Sequence, residues 1–231
     1  MSALSDAKPY EAPTRPHAAG PIPDAPSGAA HATNGVSVDY TQNADKQWFV
    51  LRVSYGRALK AYTELRKFYP ENDIFCPVHK VLKQEIRDGK RRNIRRREAW
   101  LPGIVFVRDT PAAVDRLVRN NRALPYLSYY YNHFTEIADG INPPLVVPLA
   151  DMQNFIRLMN IRSDHTRIVT RGQCRFKGGD KVRITDGQFA GITGRVARVS
   201  SQQRVVVEIE GLCLAATAYI PDAFMEAVQN S

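Results

Sequence analysis

Cysteine is scarce in this sequence: Cys76, Cys174 and Cys213 are odd in number and far apart. They cannot build a disulfide framework or a zinc knuckle, so a reducing, cytoplasmic setting is expected. No apolar run approaches the ~18 residues that a membrane helix needs, and no short apolar core follows a basic start, so neither a membrane association nor a secretory signal is expected. A glycine-rich phosphate loop is missing as well. Lys177-Gly178-Gly179-Asp180 has neither the spacing nor a following helix. The histidines, His17, His31, His79, His133 and His165, are scattered, without a His or Cys partner at a ligand spacing. The acidic residues form no evident acid–base pair in sequence. The expectation is a protein without cofactor or metal, and not an enzyme.

Positive charge, by contrast, is plentiful. The 231 residues carry 32 Lys and Arg against 23 Asp and Glu, a net charge of +9. The excess is local. Residues 1–46 hold three bases and five acids, residues 47–160 hold 19 and 11, and residues 175–231 hold seven and six. The densest stretch, 83–97, has eight bases (Lys83, Arg87, Lys90, Arg91, Arg92, Arg95, Arg96 and Arg97) against Glu85 and Asp88. Such a field attracts polyanions and speeds encounter with them, although a basic run can also be a solvated loop or a localisation signal.

Residues 1–46 contain six of the 15 prolines, many alanines and few large apolar residues. They cannot bury enough surface to offset the entropy of ordering, and a disordered tail is expected. Trp48-Phe49-Val50-Leu51-Arg52-Val53 reads as a strand. Trp48, Val50 and Arg52 face opposite to Phe49, Leu51 and Val53, and period alone does not say which set is covered. Leu59, Tyr62, Leu65, Arg66 and Tyr69 predict a helix over 58–69, stopped by Pro70. Asp88-Gly89 predicts a hairpin turn between strand-like flanks. Residues 100–107 read as a buried strand, 111–119 as a helix begun by Pro111, 124–131 as a fourth strand, and 149–159 as a third helix. Tyr129-Tyr130-Tyr131 is either a platform for stacked bases or strand-end packing.

The order β-α-β-β-α-β plus one helix is the split βαβ pattern of a ferredoxin-like sheet. Helices on one face of such a sheet leave the other open, and apolar residues there need a partner. Residues 161–174 look like a linker. Beyond them, short strands over 181–184, 194–199, 204–209 and 212–219, punctuated by glycines, predict a small β-barrel. Its low helix propensity predicts a barrel that keeps one fold. The fold class is therefore α+β: a ferredoxin-like domain over 47–160, then a small SH3-like barrel over 175–231.

Several runs carry a family resemblance. Trp48-Phe49-Val50-Leu51-Arg52, the Gly56 turn, Ile86-Arg87-Asp88-Gly89-Lys90-Arg91-Arg92 and Leu101-Pro102-Gly103-Ile104-Val105-Phe106-Val107 resemble the N-terminal (NGN) domain of the NusG family of transcription factors. Residues 179–191, followed by Gly194-Arg195-Val196, resemble that family's KOW barrel, and Ala218-Tyr219-Ile220-Pro221 fits too. The stretch 129–148 and the tail look more like the specialised UpxY-type or RfaH-like paralogues of polysaccharide operons than the general factor.

The resemblance implies an antitermination and elongation factor. It docks on the clamp helices of RNA polymerase through Trp48, Leu101, Pro102 and Ile104. It meets upstream or non-template DNA through Lys90, Arg91, Arg92, Arg95, Arg96 and Arg97. Its barrel offers Phe189 and Ile192 to a small-subunit ribosomal protein or to Rho. The alternatives are a general NusG factor and a KOW-type RNA- or ribosome-binding protein, the latter having no need of the first domain.

Overall fold

The computed structural model describes residues 45–228 apart from 88, 121, 134–139, 141, 162 and 164; the tail expected over 1–46 lies almost wholly outside them. The first unit is built around β1 (Gln47–Val53), which pairs antiparallel with β5 (Ile104–Asp109) on one side. On its other side it pairs with β6 (Leu127–Tyr129) and β7 (Val146–Val147). With β2 (Ile74–Phe75) at the far edge, the sheet order is β2-β5-β1-β6, the expected split arrangement. β3 (Val78–Arg87) and β4 (Lys90–Ala99) leave this sheet and pair only with each other, as a two-stranded ribbon.

Alternation along β1 sorts its side chains onto two buried faces. Phe49, Leu51 and Val53, with Val105 and Val107, lie under α1 (Ala58–Leu65) and α2 (Pro111–Asn120). α1 is shorter than the sequence suggests: past Leu65 the chain tightens, with Lys67 and Phe68 donating backbone bonds to Glu64 and Leu65. Helices on one face alone would leave the opposite one, Trp48, Val50, Ile104 and Phe106, open. It is covered by α3 (Leu149–Asn160), through Met152, Phe155, Leu158 and Met159. Phe155 packs its ring against Phe75 and Phe106, with centroids 6.0 and 5.6 Å away. At this edge Asp73, itself buried, takes ion pairs from Lys46 (2.8 Å) and Arg108 (3.3 Å).

The second unit is a six-stranded antiparallel sheet of order β13-β9-β10-β11-β12-β8. Its strands are β8 (Arg167–Val169), β9 (Cys174–Ile184), β10 (Thr193–Val199), β11 (Gln202–Ile209), β12 (Cys213–Tyr219) and β13 (Met225–Ala227). Ser200 and Ser201 both have positive φ (51° and 64°), which makes the β10–β11 hairpin a tight turn that follows the strand twist. The run Val205-Val206-Val207 is buried throughout because both faces of β11 are covered. Val206 packs with Ala197, Val199, Leu214 and Val169, whereas Val205, Val207 and Ile209 join the cluster that contains α3.

α3 is thus a shared layer, apolar toward the first sheet and toward the second. Polar bonds fix it there: Arg157 donates to the carbonyl of Gly191 (2.9 Å) and Asn154 accepts from the backbone N–H of Thr193 (3.0 Å). The stretch expected as a linker, 161–174, contains β8. That strand pairs with β12 through Leu214, Ala215 and Ala216 and is part of the second sheet.

Candidate nucleic-acid interface

The ribbon forms because both flanks of the turn alternate long polar and aliphatic side chains, a pattern that suits a strand exposed on both sides. Gly89, at φ 71°, supplies the left-handed residue of the turn; its expected partner Asp88 lies outside the described residues. The register is unbroken from Val78 opposite Ala99 to Arg87 opposite Lys90. At the base, His79 stacks on Trp100 with centroids 4.1 Å apart, and the Trp100 N–H donates to the carbonyl of Pro77 (2.8 Å). Cys76, buried there, has its thiol pushed up to about 12 by that burial.

Directly opposed residues share a face, so the register divides the charges. One face carries His79, Val81, Lys83 and Glu85 opposite Glu98, Arg96, Ile94 and Arg92, with Lys90 at the tip. Here Lys83 pairs with Glu98, and Arg96 pairs with Glu85 at 2.9 Å. The other face carries Val78, Lys80, Leu82, Gln84 and Ile86 opposite Ala99, Arg97, Arg95, Asn93 and Arg91. It has four bases and no acid, and among the described residues none of these bases forms an ion pair. The six cations expected to meet nucleic acid therefore do not act together. Arg91, Arg95 and Arg97 project from one face, Lys90, Arg92 and Arg96 from the other. Leu82 and Ile86, 70% and 69% exposed, sit among the unpaired bases.

The loop before β5 lies against the turn that follows β1. Val53 donates to the carbonyl of Gly103 (2.8 Å) and Ala58 to that of Pro102 (3.1 Å). Pro102 is exposed, and Leu101 is half-buried against the cluster under α3. Next to them Tyr55 has φ 60° and is 86% exposed, and the Arg57 guanidinium lies 5.2 Å from its ring and 5.5 Å from that of Tyr126. Sequence reasoning missed this aromatic–basic group. The available signal was Tyr55-Gly56 straight after a strand.

The segment 46–139, which holds β1 to β6, α1 and α2, and so the whole ribbon, matches the family model described as transcription termination factor nusG. Residues 46–139, about two fifths of the chain, are thus similar to a NusG domain. The NusG transcription termination/antitermination protein of Treponema pallidum (strain Nichols) is 29% identical over 178 residues, covering 72% of this chain and 91% of that protein. The protein of the same name from Thermus thermophilus is 24% identical over 183 residues, covering 71% and 90%. Both alignments are longer than that segment.

Two residues assigned to polymerase contact on this domain, Trp48 and Ile104, are only 2% and 8% exposed beneath α3. They offer no surface in this arrangement; Leu101 and Pro102 do. The tyrosine run is split between two sides of its strand. Tyr130 turns away from its neighbours and reaches toward the Gly211 carbonyl (3.4 Å), whereas Tyr129 and Tyr131 lie 6.2 Å apart on the other side. Outside the segment 46–139, Phe189 and Ile192 are also buried, at 3% and 0%. The turn between β9 and β10 folds back on itself, with Gly191 donating to Ile184 (2.7 Å) and Ile192 to Phe189 (3.2 Å), and carries both side chains into the cluster around α3. Among the described residues, no three His, Cys, Asp or Glu side chains gather as a metal site, and no helix is long and apolar enough to cross a membrane.

Proposed function

We propose that this chain is a transcription termination/antitermination factor that rides on elongating RNA polymerase. The NusG-family domain docks on the polymerase clamp helices, and its ribbon reaches the upstream or non-template DNA. Docking suppresses pausing, and the targets are long operons such as those for capsule or exopolysaccharide. The observation that carries this reading is a match to the NusG family model over 46–139, whose ribbon strands hold nine bases against Glu85 and Glu98. The docking patch is Leu101 and Pro102, extended by Tyr55 and Arg57. The β-rich unit takes a second partner, a small-subunit ribosomal protein or Rho, through a surface other than Phe189 and Ile192.

A second reading, the general factor that serves most transcription units, is favoured by the names of both relatives and by the nine-tenths of their length that this chain covers. Genome-wide occupancy separates the two: a few long operons for the specialised factor, most transcribed genes for the general one. Docking is tested by capture of core RNA polymerase on the full-length chain. Leu101→Asp and Pro102→Glu should each lower capture at least tenfold, Pro102→Glu without loss of thermal stability because Pro102 is exposed. Undiminished capture by both variants removes the loop from the contact. No capture by the unsubstituted chain removes the reading.

A further inference from the structure

The two faces of the ribbon differ in more than charge. On the ion-paired face, Lys83 and Arg96 are already partly neutralised by Glu98 and Glu85. The opposite face sets Lys80, Arg91, Arg95 and Arg97 around Leu82 and Ile86, with Gln84 directly across from Asn93. No aromatic side chain stands on it. Proteins that track single strands stack bases on aromatic rings, and this face has none to offer.

What it does offer matches the floor and walls of a duplex groove. A two-stranded ribbon is narrow enough for the ~12 Å major groove of B-DNA, since its strands lie about 4.8 Å apart. From Arg91 to Arg97 the stripe runs about 20 Å at ~3.4 Å per residue, close to six base-pair rises of ~3.4 Å. Its side chains are those that read base edges there: arginine for guanine O6 and N7, glutamine or asparagine for adenine N6 and N7, and aliphatic groups for the thymine methyl. The same matching explains why Leu82 and Ile86 stand in solvent within a ring of cations. An apolar patch framed by positive charge fits a groove floor bounded by phosphates.

We propose that the face of Lys80, Leu82, Gln84, Ile86, Arg91, Asn93, Arg95 and Arg97 enters the major groove of duplex DNA and reads its sequence, while the ion-paired face points away. The proposal rests on the reading of the ribbon as a DNA contact, and its tests use DNA without polymerase, so that the docking claim and this one fail separately.

The experiment measures binding of the full-length chain to a pool of random 20-base-pair duplexes by fluorescence anisotropy over a salt series. Two triple variants remove equal charge from the same ribbon: K80Q/R91Q/R95Q on the reading face and K90Q/R92Q/R96Q mainly on the other. Loss of three phosphate contacts should flatten the log–log salt slope by about 2.7, at ~0.9 each. The second triple should leave the slope nearly unchanged. Equal flattening by both triples overturns the face assignment, and salt-independent or absent binding by the unsubstituted chain overturns the DNA reading of the ribbon as a whole.

A second arm tests reading as against holding. Repeated selection from the same pool should return sites with defined adenine positions. Q84A/N93A, with both side chains exposed, should lower the preference there at least about fivefold while keeping the salt slope. Selection that returns no preferred sequence, or one indifferent to Gln84 and Asn93, overturns base reading. Anionic vesicles containing phosphatidylserine are run in parallel. Binding to them that is abolished by K80Q/R91Q/R95Q, with duplex binding unaffected, would assign the face to a membrane surface and overturn the proposal.

Discussion

Cutting the chain at residue 175 should leave a β-rich unit that is barely stable, whereas cutting it at residue 161 should not. The two fragments, 175–231 and 161–231, both lack α3, so their difference isolates β8 and the residues just before it. The shorter one loses Val169, 5% exposed within the small cluster of Val206 and Leu214. Burial of a valine of this kind contributes about 1.5–3 kcal/mol. It also loses the His165 carbonyl, which accepts a 2.7 Å bond from the buried Arg204 guanidinium. A hydrogen bond to a charged group contributes about 1.5–3 kcal/mol. Together these come to roughly 3–6 kcal/mol, against a total stability of about 3–9 kcal/mol for a unit of this size at 0.05–0.15 kcal/mol per residue.

The longer fragment should therefore melt at least about 12 °C higher, since 1 kcal/mol shifts the midpoint of a small domain by about 4–8 °C. Circular dichroism melts and amide dispersion in solution NMR provide the assay. Equal midpoints would refute the reasoning: β8 would then be an ornament on β12, and the unit would begin near Cys174 as its strand pattern alone suggests.

A methyl group tests the packing between β10 and β11. In Gly194→Ala the new Cβ would lie 2.5 Å from the Val206 carbonyl oxygen and 2.9 Å from Val205 Cγ1, so urea titration should show a loss of about 1–3 kcal/mol. Gly103→Ala meets only the Val53 carbonyl oxygen at 3.6 Å and should be nearly neutral in the same titration. Cys76, with its thiol pushed up to about 12 by burial just as that of Cys213 is, should be alkylated by iodoacetamide at pH 8 later than Cys174. The folded state disfavours this thiolate, so the stabilisation is complete below the thiol's ordinary value near 9 and is lost as pH rises toward 12, at about 1.4 kcal/mol per pH unit. A Cys76→Ala variant should lose only its own share of that alkaline slope, since the Cys213 thiol, raised equally far, keeps its share.

The sheet and its order were legible because β1, β5 and the helices carry their periods in short, local runs. The ribbon was legible because Gly89 sits between alternating flanks. The covering of Trp48 and Ile104 was not, because the element that covers them, Leu149–Asn160, lies far along the chain from both. A trace of it existed: on α3 the residues Met152, Phe155, Ile156, Leu158 and Met159 spread over about half of the circumference, wider than the ~100° stripe of a helix that covers one layer. β8 was hidden by brevity, since three residues, Arg167, Ile168 and Val169, carry no measurable period. Phe189 and Ile192 looked exposed because they flank a glycine-containing turn, and only the backbone bonds within that turn show it folding inward. Tyr55 escaped notice because a tyrosine with positive φ breaks local preference, and such exceptions come from tertiary context.

The ribbon also bears on how the protein behaves at high concentration. β3 and β4 each have one edge without a strand partner among the described residues, ten residues long, with aliphatic side chains on both faces. Such edges invite pairing with another chain. Here the invitation is withdrawn by electrostatics, because two ribbons aligned edge to edge would bring Lys80, Arg91, Arg95 and Arg97 of one copy beside the same residues of the other. The uncompensated charge that draws the protein toward a polyanion is therefore also its protection against itself. A nucleic acid that neutralised the stripe without covering it would turn the ribbon from a repellent edge into an adhesive one.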